Sequence, residues 1–140
     1  MNDEARPVPF DPAAAGFVPV TGNGFGELIG PLWRHGDSRF GFVVESKHLN
    51  YINVLHGGML MTVADQAMGM TAHRATGGKK HVTIELNVQF VSSAHAGEFV
   101  EAQCEIVRLA RSLVFMEAKL RVGQRLVASA NGIWKILQEP

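Results

Sequence analysis

Between Pro31 and Pro140 the chain carries no proline, and inside that span its hydrophobic period changes once. Proline breaks helix interiors and central strands, so a long proline-free stretch suits long elements with complete hydrogen bonding. Before Gly77-Gly78 the period is helical, and after it the residues alternate. The spacing predicts a helix of about five turns over residues 59–76, rich in Ala, Met and Leu and stopped by the two glycines. Residues 81–91 then set Val82, Ile84, Leu86, Val88 and Phe90 on one side and Thr83, Glu85, Asn87 and Gln89 on the other. Further strands are predicted over 98–109, 112–122 and 125–137. Gly97, Ala110-Arg111 and Gly123-Gln124 mark the turns, so the four strands read as an antiparallel meander. An earlier strand over 39–45 carries Phe40, Phe42 and Val44. A single long helix beside an antiparallel sheet is the α+β class.

A chain of 140 residues suits one domain. Thirteen basic residues balance thirteen acidic ones. A broad nucleic-acid footprint needs a basic excess, so that partner is not expected. The sum hides an offset. Residues 1–60 hold four basic and six acidic groups, whereas 101–140 hold six basic and four acidic, which leaves room for a small anion. No apolar run reaches the ~18 residues of a membrane helix, and residues 1–6 do not read as a secretory leader. The expectation is a cytoplasmic protein without a membrane partner. Cys104 stands alone, which excludes an internal disulfide and a cysteine zinc site, and it reads as a buried thiol. His35, His48, His73, His81 and His95 are scattered, so neither a metal nor a cofactor is expected. Pro7, Pro9, Pro12 and Pro19 mark residues 1–22 as an N-terminal arm anchored by Phe10 and Phe17, ahead of a domain over 23–140. Leu28-Ile29 reads as a short helix ended by Gly30-Pro31.

Within the predicted helix Asp65 is out of place. It shares a face with Met61, Met68 and Ala72, and no basic residue lies within a turn. A buried carboxylate is costly unless it is partnered. Two readings stay open: a carboxylate at an exposed edge or satisfied by strand donors, and a general base or nucleophile presented to a cleft. At the helix start, His56-Gly57-Gly58 is open in the same way. It is either a turn, or a helix N-terminus whose amide holds a developing oxyanion.

Asn50, His56-Gly57-Gly58, Asp65 and Thr83 together form the pattern Asn-x5-His-Gly-Gly-x6-Asp-x17-Thr. Here the chain resembles the hotdog-fold acyl-CoA thioesterases of the phenylacetate-pathway (PaaI-like) type. The likeness runs over His48-Leu49-Asn50, over Leu55 to Gly58 and on to Ala64-Asp65, and over Val82 to Val88. It spans roughly residues 24–137. The resemblance implies a hotdog fold: a long central helix wrapped by an antiparallel sheet. It also implies a homo-oligomer, with a dimer as the minimal active unit and a dimer of dimers as a homotetramer. Asp65 would be the base or nucleophile of one chain. Asn50, His56 and Gly57 would come from the partner, with the Gly57 amide on the thioester carbonyl, His56 positioning that carbonyl and Asn50 holding the water. Thr83 would bond the water or Asp65, or else is an ordinary strand threonine.

The substrate implied is acyl-CoA, hydrolysed to a free acid and coenzyme A without a cofactor. Gly58, Met61 and Met68 are candidates for the substrate surface. Ser92, Ser93, Arg108, Arg111 and Ser112 are candidates for the nucleotide end, where the arginine fork suits phosphate. Lys79 and Lys80 are open to the same reading. The alternatives are a non-catalytic acyl-CoA-binding or regulatory hotdog protein and, less favoured by the absence of an Asp-x4-His pair, a hydratase.

Overall fold

The structure is a computed structural model, and it describes residues 9–22 and 24–138. The polar start at 1–6 and Pro7 lie outside the described residues. In chain order the elements are β1 (Val18–Val20), α1 (Phe25–Ile29), β2 (Leu32–His35), β3 (Arg39–Val43), a 3-10 turn (Ser46–His48), α2 (Gly57–Ala75), β4 (His81–Phe90), β5 (Phe99–Leu109), β6 (Leu113–Val122) and β7 (Arg125–Ile136). All strands pair antiparallel in one seven-stranded sheet ordered β1-β2-β3-β5-β6-β7-β4.

The helix crosses one face of this sheet. Val63, Ala64, Ala67, Met68 and Ala72 point into the core. Small residues floor the sheet beneath it, among them Ala102, Ala118, Ala128 and Ala130, and they let helix and sheet approach closely. Cys104 is buried with them, as expected. The solvent side of the helix holds Gly58, Thr62, Asp65, Gln66 and His73. The helix is thus less evenly apolar than its composition implied.

The meander expectation fails at its first strand. β5, β6 and β7 are consecutive neighbours, but β4 pairs with β7 at the far edge and not with β5. The side of β5 that β4 was expected to take is filled by β3, with Phe40 opposite Ala102. The link from β4 to β5 is correspondingly longer than a hairpin turn and crosses the end of the sheet. Leu55 N–H donates to the Ala94 carbonyl at 2.8 Å and Gly97 N–H to the Val44 carbonyl at 2.8 Å.

The alternation in β4 also fails at one point. Thr83 pairs with Trp134 and Glu85 with Ile133, so Ile84 is an extra residue in a β-bulge. Thr83 therefore faces the helix on the same side as Leu86 and Val88, rather than outward with Glu85.

The described part of the N-terminal segment lies against the sheet. Phe10 stacks on Phe99 at 4.3 Å between ring centroids, and Phe17 meets the same ring edge-on at 5.1 Å. β1 and β2, which the sequence did not announce, extend the sheet beyond β3. Pro19 is accommodated because β1 is an edge strand.

Candidate active site

The start of α2 leaves one donor free. Gly58 N–H is capped by His56 Nδ1 at 2.8 Å, and the N–H groups of Met59 and Leu60 both reach the His56 carbonyl, at 3.0 and 3.3 Å. Gly57 N–H has no partner among the described residues, and it points out of the positive end of a 19-residue helix. Because Nδ1 accepts, the neutral His56 ring carries its proton on Nε2, a second outward donor. A Cβ at Gly57 would meet the exposed Phe90 ring at 3.2 Å, so a side chain there would push that ring aside by a few tenths of an ångström.

Asn50 belongs to the same rim. Its Oδ1 accepts from Ile52 N–H at 3.0 Å and Val54 N–H at 3.2 Å, closing a tight loop in which Asn53 sits at φ 62°. The bridge between Leu49 and Leu55 and the bond from His56 N–H to the His48 carbonyl at 2.8 Å hold Asn50 and His56 on one structure. With its oxygen engaged by the loop, Asn50 offers the amide Nδ2.

Further along the helix, Asp65 is half-buried and its Oδ1 accepts a 2.6 Å hydrogen bond from Thr83 Oγ1. Short O–H to carboxylate bonds of this kind are strong. No cation pairs with Asp65 among the described residues. The bulge at Ile84 turns Thr83 towards the helix and so allows this bond.

One chain does not bring these two groups together. Eight residues of helix separate Gly57 from Asp65, about 12 Å along the axis. The N-cap group (Asn50, His56, Gly57) and the carboxylate group (Asp65, Thr83) lie apart along the same helix.

The substrate-side candidates divide as well. Gly58 is exposed, and Met61 is 37% exposed beside Asp65. Met68 is a correction: it is 0% exposed, because three residues past Asp65 the helix has turned it onto the sheet. Ser92 donates its hydroxyl to the Leu126 carbonyl at 2.7 Å, while Ser93 is exposed. Arg108 and Arg111 are exposed, and neither has a carboxylate partner among the described residues. Ser112 is tied by its carbonyl to Ile136 N–H at 2.8 Å. Ser92 and Ser93 lie where β7 begins and Ser112 where it ends, about 30 Å apart along a strand. They do not form one site within a chain. Arg111 instead shares a cavity of about 460 Å³ with Lys79, Gly77, Gly78 and Leu137. Phe90 against Gly57 was missed by sequence reasoning, because the turn reading already accounted for the glycine. Among the described residues no group of three or more metal-ligating side chains converges, and no helix is long and apolar enough to cross a membrane.

The family model of the thioesterase superfamily matches residues 52–129. The chain belongs to the thioesterase superfamily, and by family it is a thioester hydrolase with the hotdog fold. A Pseudomonas aeruginosa protein provisionally described as an esterase is 32% identical over 115 residues, covering 79% of this chain and 86% of that protein. The structure of a variant of the phenylacetic acid degradation protein PaaI from Thermus thermophilus superposes with a TM-score of 0.72 at 24% identity, over 81% of this chain and 98% of that one. A Bacillus halodurans protein solved with CoA gives a TM-score of 0.66 at 28% identity, over 71% and 66%.

Proposed function

We propose that the protein hydrolyses acyl-CoA thioesters to a free acid and coenzyme A, in a site completed between two chains. The observation that carries this reading is the division of one helix into a free N-terminal donor at Gly57 and a carboxylate at Asp65. Two copies related by a two-fold axis, with their helices antiparallel, set Gly57 of one against Asp65 of the other. The small polar face of α2 suits that approach. The edge of β4, where Val82 and Ile84 are exposed, suits sheet-to-sheet pairing. The same two-fold brings the Ser92-Ser93 end of one chain towards the Arg108–Ser112 end of its partner. There the cavity with Lys79 and Arg111 receives nucleotide phosphates. CoA in the Bacillus halodurans relative supports the coenzyme assignment. A dimer of dimers rests on the family resemblance alone.

In the mechanism, Gly57 N–H and His56 Nε2–H hold the thioester oxygen as it gains charge. Asn50 Nδ2 orients the water. Asp65, fixed by Thr83, takes the proton as the water oxygen bonds to the carbonyl carbon. Collapse of the tetrahedral species breaks the carbon–sulfur bond, and the proton passes to the leaving thiolate. Direct attack by Asp65, with water then splitting the mixed anhydride, uses the same groups. Asp65→Asn should lower kcat at least a hundredfold on a panel of acyl-CoA thioesters, with circular dichroism and Tm retained. Full turnover by that variant would overturn the role of Asp65. Tight acyl-CoA binding with no turnover by the wild type, or water addition to an enoyl-CoA, would overturn the thioesterase itself.

A further inference from the structure

A cavity of about 640 Å³ lies on the face of the sheet away from α2. Its floor is Glu101 and Gln103 of β5 with Lys119 and Arg121 of β6. These alternate with Ala102, Cys104, Ala118 and Leu120, which are buried in the core on the helix side. The sheet therefore separates the cavity from Gly57 and Asp65. One wall is aromatic. Phe10 of the N-terminal segment stacks on Phe99, and at 41% exposure it keeps ring surface open to the cavity. The volume is in the range of small-ligand sites.

The charged groups around it are spoken for, with one exception. Glu101 gives both carboxylate oxygens to Arg39, at 3.2 and 2.8 Å. Glu98 accepts from His95 N–H at 2.8 Å and from Arg125 at 2.7 Å. Lys119 Nζ donates to Ser129 Oγ at 2.7 Å. Arg121 is half-buried opposite Glu101, yet among the described residues its guanidinium makes no ion pair and no side-chain hydrogen bond. A planar fork of donors is left without an acceptor. The side-chain amides of Gln103 and Gln124 stand on the same lining. Charge limits what can use that fork. Glu105 and Glu117 line a smaller hollow that shares Gln103, Lys119 and Arg121, and neither is paired with a cation among the described residues. They oppose a doubly charged phosphate ester, whereas a single negative charge is matched by Arg121 and Lys119.

We propose that this cavity binds a small aromatic monocarboxylate, with the carboxylate on the Arg121 fork and the ring stacked on Phe10. The site is separate from the thioester chemistry and does not depend on it. The test is isothermal titration calorimetry of the full chain with 2-naphthoate, set against uncharged 2-naphthamide, non-aromatic 1-adamantanecarboxylate and doubly charged 2-naphthyl phosphate. Expected is one 2-naphthoate per chain with a Kd below about 1 mM. Arg121→Gln should weaken it about tenfold or more, and the amide should bind the wild type correspondingly worse, because each loses the charge-assisted pair. Phe10→Ala and the adamantane acid should each cost about threefold or more through the lost stack. Saturating coenzyme A should leave the titration unchanged. No binding of 2-naphthoate at millimolar concentration would overturn the proposal, as would full affinity in a folded Arg121→Gln or equal binding of the amide. Displacement by coenzyme A would put the acid in the acyl-CoA site instead. Tighter binding of the phosphate ester would overturn the monocarboxylate assignment. Because the amide comparison uses the wild type alone, the result holds even if a variant fails to fold.

Discussion

Thr83 shows how much rests on a single hydroxyl. Among the described residues it is the one side chain bonded to Asp65, and hydrogen bonds to charged groups contribute about 1.5–3 kcal/mol. Thr83→Ala should lower kcat about ten- to a hundredfold with little change in KM or Tm, and Thr83→Ser should restore most of it. Equal kcat in Thr83→Ala and wild type would remove Thr83 from the site. Cys104 answers to pH instead. Burial pushes its thiol up to about 12, with the Thr71 hydroxyl acting the other way, against an ordinary 9.0. The unfolded chain therefore loses this proton first as pH rises. The stability Cys104 contributes is intact below pH 9 and falls progressively from there towards pH 12. The gap in Tm between wild type and Cys104→Ala should narrow across that window, and a constant gap would disprove the linkage. Both residues were visible in the sequence, and the resemblance offered Asp65 as one possible partner of Thr83, but nothing in the sequence paired Cys104 with Thr71, which comes from another element.

At the scale of elements, β4 and β7 fix the placement of Thr83 against Asp65. Gly132 of β7 sits where a Cβ would lie 2.7 Å from the Glu85 carbonyl and 2.7 Å from the Trp134 ring. The backbone of β4 cannot yield there without moving off β7. Gly132→Ala should cost about 1–3 kcal/mol in chemical denaturation, as overpacking does. Because the strand pair also carries Thr83, it should lower kcat as well. Unchanged stability would mean that β4 is free to shift. The long helix was legible because its period, its lack of proline and its glycine stop agree. The bulge was not, because residues 82–90 alternate without a break, and only pairing with β7 reveals Ile84 as an extra residue. The place of β4 in the sheet was equally hidden. A run of strands looks like a meander whether or not the first of them is carried to the far edge.

At the scale of the whole molecule, the proposed site between two chains makes a quantitative prediction. Asp65→Asn and a variant disabled at the N-cap, His56→Ala, should each be nearly inactive alone. Mixed by co-refolding, half of the dimers should be hybrids with one intact site, restoring about a quarter of wild-type activity. No recovery, with hybrid dimers present by mass spectrometry, would place both half-sites in one chain. The sequence by itself determined the α+β class, the long helix, the family likeness and which residues stand out, because these follow from local period and from residue types at fixed spacing. Only the tertiary structure decided that β4 joins β7, that Thr83 turns towards Asp65, that Met68 is sealed in the core, and that Gly57 keeps a free amide while its neighbours are capped. Each of these depends on which distant segment lies alongside, and a periodicity along one strand or helix carries no information about its neighbour.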